Sequence, residues 1–180
     1  AFLSLLGILL RLFCYRFNRC YKAFSIECVY IKIVMITGES PDVNRDYELF
    51  KQIEPTIGAF DTETTGFNAA GGDQMIEIGA VKIKEGVIID RFDELIDPKR
   101  PIPQKITELT CITDDMVKDK DNEEIVTKRF LEWAGDNPMV AHNAKFDIGF
   151  IEMAMKKYNL GEFKNTVIDT LELSRTLDQG

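Results

Sequence analysis

A mixed α/β fold, with one sheet whose first strands are antiparallel and whose later strands are joined by helices, is predicted by three features of the sequence. Strand-like apolar runs come first, at Ile57–Thr62, Met75–Ile83 and Val87–Ile96. Stretches with helical apolar spacing then alternate with short apolar runs, the pattern that lays helices on the faces of a sheet. The length of 180 residues, 45% of them hydrophobic and 29% charged, suits one ordinary globular domain rather than two.

The chain opens with a segment outside that pattern. Residues 1–34 carry Arg11, Arg16, Arg19, Lys22 and Lys32 against Glu27 alone, although the whole chain has a formal charge of −8. Their uncharged start is interrupted by Arg11 and Arg16 before it reaches the roughly 20 residues that a membrane span needs. Basic residues follow the apolar run instead of preceding it, unlike a signal peptide. We read this segment as lying outside the native coding sequence and adding nothing to the core, with Met35 as the start of the ordinary pattern. A truncated membrane or interfacial segment is the alternative. Cys14, Cys20 and Cys28 lack the paired spacing of a zinc site, so no disulfide framework is expected, and a cytoplasmic context fits.

Residues 35–56 are a polar lead-in with one amphipathic stretch, Tyr47–Ile53, and residues 57–180 form the domain. Its three opening strands end in a hairpin around Glu85-Gly86. Pro98, Pro101 and Pro103 stiffen the connection to a short helix over Gln104–Leu109. A longer helix is predicted over Asn122–Ala134, with Val126, Phe130, Trp133 and Ala134 on one face, Glu123 and Glu124 in the first turn and Gly135 past the end. A strand at Pro138–Ala141 should lie beside the first strand. A helix follows over Phe146–Tyr158, then a strand at Asn165–Ile168 and a helix from Thr170.

Two constellations can carry chemistry. Asp61 and Glu63 are two residues apart on a strand, so they face the same way and repel unless a cation joins them. Alone, such a pair is most often a solvated strand edge. Thr64, Thr65, Gly66 and Phe67 follow directly and add hydroxyls, a flexible turn and an aromatic ring. The second constellation, His142-Asn143-Ala144-Lys145-Phe146-Asp147, lies where a strand ends and a helix begins. Asp147 there would ordinarily only complement the helix dipole. However, His142 and Asn143 close an apolar strand at the place where α/β sheets gather their ligand groups. The acidic balance excludes a broad basic footprint for nucleic acid, so the positive charge would have to come from bound metal.

Together these residues resemble the DnaQ-like DEDD 3′→5′ exonucleases over about residues 57–177. Within that family, four blocks are most similar to the proofreading domains of PolC-type DNA polymerase III: Phe60–Gly66, Ile76–Val81, Ala141–Phe150 and Val167–Arg175. The resemblance implies a ribonuclease H-like, five-stranded mixed sheet with helices on both faces. It implies Asp61, Glu63 and Asp147 as catalytic metal ligands for two Mg²⁺ or Mn²⁺ ions. Thr62, Thr64, Thr65, His142, Asn143 and Phe146 would surround the terminal nucleotide, and Phe67 would pack on its base. The partners would be a single-stranded or frayed 3′ end of DNA and the rest of a polymerase chain and replisome, with no membrane.

The family's third motif, a general base and a fourth carboxylate, falls downstream of these 180 residues, so the last helical part of the fold is expected to be missing and the piece alone nearly inactive. Asp169 matches the strand before that motif and is not expected to substitute. Cys111 stands where the family usually has glycine, which puts a positive-φ turn in question. An RNA-trimming exonuclease of the same fold and a catalytically idle docking module are the competing readings.

Overall fold

The computed structural model describes residues 56–84 and 87–177, so the expectations for residues 1–34 and for Tyr47–Ile53 lie outside the described residues. Five strands form one sheet: β1 (Ile57–Thr64), β2 (Met75–Lys84), β3 (Val87–Leu95), β4 (Met139–Ala141) and β5 (Val167–Asp169). Their order across the sheet is β3-β2-β1-β4-β5. β1, β2 and β3 are mutually antiparallel, while β4 runs parallel to both β1 and β5. The antiparallel trio and the place of Met139–Ala141 beside β1 therefore agree with the sequence.

The helices are α1 (Gln104–Thr110), α2 (Asp114–Val117), α3 (Glu123–Ala134), α4 (Ala144–Tyr158) and α5 (Thr170–Leu177). One element and several boundaries differ from expectation, among them the end of β1, which runs to Thr64 rather than Thr62. α2 was not predicted, since four residues are too few to show a period; its Asp114 carboxylate accepts from the Ile102 amide at 2.8 Å. α4 begins two residues before Phe146, and β5 ends at Asp169 rather than Ile168.

Strand alternation sorts the core. On one side of the sheet Phe60, Ile78, Ala80 and Phe92 meet Val126, Phe130 and Ala134 of α3 and Phe150, Ile151, Ala154 and Met155 of α4. Phe130 is the centre of this layer, with ring centroids 5.7 Å from Phe60 and 5.6 Å from Phe92. The other side carries a smaller cluster of Ala59, Val81, Ile83 and Val140. Ile76 joins a third cluster with Ile102, Ile106, Ile112 and Val117, which anchors α1 and α2. No helix among the described residues is long and apolar enough to cross a membrane.

Candidate active site at the end of the first strand

β1 outruns its neighbour. Its register with β4 covers only Gly58 and Ala59, yet it continues to Thr64. The Gly58 amide donates to Pro138 O on the β4 side, so by the two-residue period of a strand the Thr62 amide points the same way. There it meets a side chain instead of a strand: Asp147 Oδ1 accepts from Thr62 N at 2.8 Å and from Thr62 Oγ1 at 2.6 Å. Asp147 thus takes the position of a missing β4 rung, at the sheet edge toward which its place in the first turn of α4 predicted it to point.

This carboxylate is only 2% exposed. Burial, and after it the charge of Asp61, push its carboxyl up from the usual 3.8 to about 7, against the opposing Thr62 hydrogen bonds. Asp61 and Asp147 are therefore brought together electrostatically. Glu63 shares the strand face of Asp61 and sits opposite Glu77 in the β1–β2 register. Among the described residues, no three His, Cys, Asp or Glu side chains already stand as a closed metal-ligating group. The donor chemistry nonetheless fits a hard divalent cation: carboxylate oxygens are the ligands that Mg²⁺ and Mn²⁺ prefer, and a cation would reverse the cost of burying Asp147 beside Asp61.

The β1–β2 loop is tied down beside the carboxylates. Thr65 Oγ1 accepts from the Gln74 amide at 3.0 Å, and Thr65 N donates to Gln74 O at 2.8 Å. The Arg100 guanidinium bridges Thr65 Oγ1 and Asp73 Oδ1, while Asp73 Oδ2 accepts from Asn68 N at 3.0 Å. Gly66 leaves room at this closure, because a Cβ there would overlap the Asp73 carboxylate and push it out of its bridge to Arg100. The tip of the loop carries Phe67, 72% exposed, with its ring 6.2 Å from Phe146, which in turn lies 5.1 Å from Phe150.

The threonines differ from one another in what they offer. Thr62, Thr64 and Thr65 are all buried, and their hydroxyls bond Asp147, Gly66 O and the Asp73–Arg100 bridge respectively. They shape the border of the site from within. His142 Nδ1 lies 3.0 Å from Thr170 Oγ1. Asn143 is exposed and left-handed, at φ 61° and ψ 47°, and its side chain makes no capping bond to α4. The sequence singled out neither Asp73 nor Arg100, which is 35 residues from Thr65 and gives no local signal. The Asp169 carboxylate accepts from backbone amides of the β4–α4 and β5–α5 junctions.

Comparison with known proteins agrees with this fold. Residues 59–179 match the family described as Exonuclease (RNase_T). The chain is 51% identical over 124 residues to a DNA polymerase III PolC-type of Listeria monocytogenes serovar 1/2a, covering 69% of this chain and 8% of that protein. Against the PolC-type enzyme of Clostridium perfringens (strain 13 / Type A) it is 49% identical over 158 residues, covering 87% of this chain and 11% of that protein. It therefore spans about a tenth of the length of these relatives. Among solved structures, exonuclease X in complex with 5′ overhanging duplex DNA matches at TM-score 0.53 and 31% identity, covering 69% of this chain and 65% of that one. Exonuclease I in a product-bound structure matches at TM-score 0.61 and 18% identity, covering 70% of this chain and 32% of that one, and supports the fold alone. The β-β-β-α-β order, the carboxylates at the end of β1 and the match across residues 59–179 have one reading: the chain belongs to the exonuclease family.

Proposed function

We propose that this chain is the 3′→5′ proofreading exonuclease segment of a bacterial replicative DNA polymerase of the PolC type, acting on a single-stranded or frayed 3′ end of DNA in the cytoplasm. The observation that carries the reading is Asp147. A carboxylate buried at a strand end, bonded to Thr62 and pushed up by Asp61, is unfavourable for a merely structural helix start and well suited to a cation.

In this reading Asp61, Glu63 and Asp147 would hold two Mg²⁺ or Mn²⁺ ions, whose chemistry when bound would be to activate water and to neutralise charge on the leaving 3′ oxygen. Thr62 fixes the Asp147 carboxylate so that only one of its oxygens is occupied within the protein by that pair of bonds. Phe67 offers an exposed ring to the terminal base, backed by Phe146, and the Arg100–Asp73–Thr65 bridge holds the loop that presents it. In the same reading His142 and Asn143, at the β4–α4 junction just before the turn that carries Asp147, would flank the nucleotide. Metal also accounts for how a chain with formal charge −8 can receive a polyanion.

The 180 residues alone should bind metal and a DNA end but turn over weakly. Two ions need several carboxylates to hold their geometry, and a general base is worth roughly 10²–10⁴ in rate. Calorimetry with Mn²⁺ tests the site: the chain should bind, and Asp61→Ala should bind much more weakly. Equal affinity would remove the reading and favour an idle docking module. End-labelled single-stranded DNA, compared with a matched RNA, then tests substrate and direction. Shortening from the 3′ end of DNA, stronger in a version extended downstream, is the expected result. Preference for RNA would point to RNA trimming, and equal rates from the two versions would make His142 the first residue to mutate as base.

A further inference from the structure

α4 starts without the local cap that most helices have. The first amides of a helix lack intrahelical partners, and a Ser, Thr, Asp or Asn at the N-cap usually supplies one. Asn143 occupies that position but is left-handed and its side chain makes no such bond. The acceptor comes from another strand. Asp169, at the end of β5 and paired in register with Ala141, accepts from Asn143 N at 3.0 Å through Oδ1 and from Ala144 N at 3.0 Å through Oδ2. Its Oδ1 also accepts from Leu171 N at 2.9 Å, at the start of α5. One carboxylate thus joins the beginnings of two helices.

The neighbouring contacts run the same way. His142 Nδ1 meets Thr170 Oγ1 at 3.0 Å, and Lys145 pairs with Glu172. Four consecutive residues, 142 to 145, are therefore held by residues 169, 170 and 172. Three residues after Ala144 comes Asp147, in the same turn of helix, and a turn of helix is a stiff body. The position of Asp147 against Thr62 is then set from two sides, by its own bonds to β1 and by the seat that Asp169 gives to the helix start.

We propose that Asp169 is a positioning residue, which fixes the first turn of α4 and thereby the place of Asp147 at the end of β1. This rests on the reading of Asp147 as a metal ligand, but it can be tested separately from it. An asparagine at 169 would turn an NH₂ toward one of the three amides, whereas a glutamate would keep the charge and push the helix start outward.

The test uses the 180-residue chain, Asp169→Asn, Asp169→Glu and Asp147→Asn, with Lys145→Ala as a control for an exposed ion pair. Amide exchange followed by NMR reads the Thr62 amide, which reports where Asp147 sits without any metal. In Asp169→Asn the amides of Asn143, Ala144 and Thr62 should exchange about tenfold faster or more than in wild type, and Mn²⁺ should bind about tenfold more weakly to the folded protein. Lys145→Ala should change neither. If Asp169→Asn does not fold, Asp169→Glu decides by the same readouts, with Thr62 protection between those of wild type and an open site. A lower melting temperature with wild-type protection at Thr62 and wild-type Mn²⁺ affinity would reduce Asp169 to a structural cap and overturn the proposal. If wild type and Asp147→Asn bind Mn²⁺ alike, the metal reading has failed, and Thr62 exchange alone decides for or against Asp169.

Discussion

The two long helices lie on the same face of the sheet but begin in opposite ways. α3 is started by its own sequence: Asn122 Oδ1 accepts from Ile125 N at 3.1 Å, and Glu123 and Glu124 complement the dipole. Glu123 also accepts from Met75 N at 3.3 Å and from Lys157 Nζ at 3.0 Å, which binds the helix start to β2 and to the far end of α4. α4 is started from a distance by Asp169, and its first turn holds a buried carboxylate in conflict with Asp61. The helix without a candidate ligand obeys local rules, while the one that carries Asp147 departs from them, and the departures gather within four residues of Asp147. Conflict between local preference and final structure at a functional site is the general expectation.

The strongest way to break the comparison is to damage the packing helix and ask whether the site notices. Phe130 is fully buried between Phe60, Phe92 and Trp133. Phe130→Ala should cost about 3–5 kcal/mol in urea unfolding, with Mn²⁺ affinity of the remaining folded protein unchanged. A parallel loss of affinity would mean that α3 is part of the site after all.

The second test acts on α4 alone, through pH. Below about pH 4 the Asp147 carboxyl is protonated in both folded and unfolded chains. Between about 4 and 7 the folded chain keeps a proton that the unfolded chain releases, so stability should fall as pH rises through that window. The loss is on the order of 4 kcal/mol at most in the absence of metal. Melting temperatures in EDTA should therefore decline from pH 5 to pH 8, and Mg²⁺ should restore them at the upper end. Asp147→Asn should abolish both the decline and the rescue. A wild-type profile flat across that range would mean that neighbouring groups already relieve the charge.

A smaller effect concerns the local cap. Asn122→Ala should cost about 1 kcal/mol and leave Mn²⁺ binding alone, whereas changes at Asp169 should alter binding more than their stability cost suggests. Equal patterns for the two caps would erase the distinction between the helices.

The same difference decides what was legible in the sequence. Strand periods gave β1, β2 and β3, and the local signals at Asn122 and Gly135 bounded α3 to within a residue. Asp61, Glu63 and Asp147 stand out in the sequence as candidate ligands because of their types and spacing, and the structure sets Asp147 where it feels the charge of Asp61. The start of α4 was set at Phe146 because its cap lies 25 residues from Ala144, where no local rule reaches. The Arg100–Asp73–Thr65 bridge escaped for the same reason, although Gly66 marked the place where the loop closes tightly. Thr62, Thr64 and Thr65 were identified, but not that their hydroxyls point into the protein. Burial on a strand that outruns its neighbour depends on which helix fills the gap, and the strand's own residues do not say.

The last test sharpens the contrast at its scaffold end, where a left-handed residue serves packing alone. Cys111 ends α1 at φ 59° and ψ 13°, with its amide bonded to Thr107 O at 2.8 Å, and it turns the chain so that Ile112 enters the core. Positive φ was in question at this cysteine, and the turn forms nevertheless. The same region of backbone space holds Asn143 and Asn159, whose short amide side chains tolerate it better. A non-glycine residue there is strained by roughly 1–2 kcal/mol, part of which glycine would return as lost backbone entropy. Cys111→Gly should therefore stabilise the chain by about 0.5–1 kcal/mol, with Mn²⁺ affinity and Thr62 exchange unchanged. Destabilisation would show that the half-buried thiol contributes more by packing than the backbone gains by relief, and a change in Mn²⁺ affinity would show that strain at α1 is felt at the site.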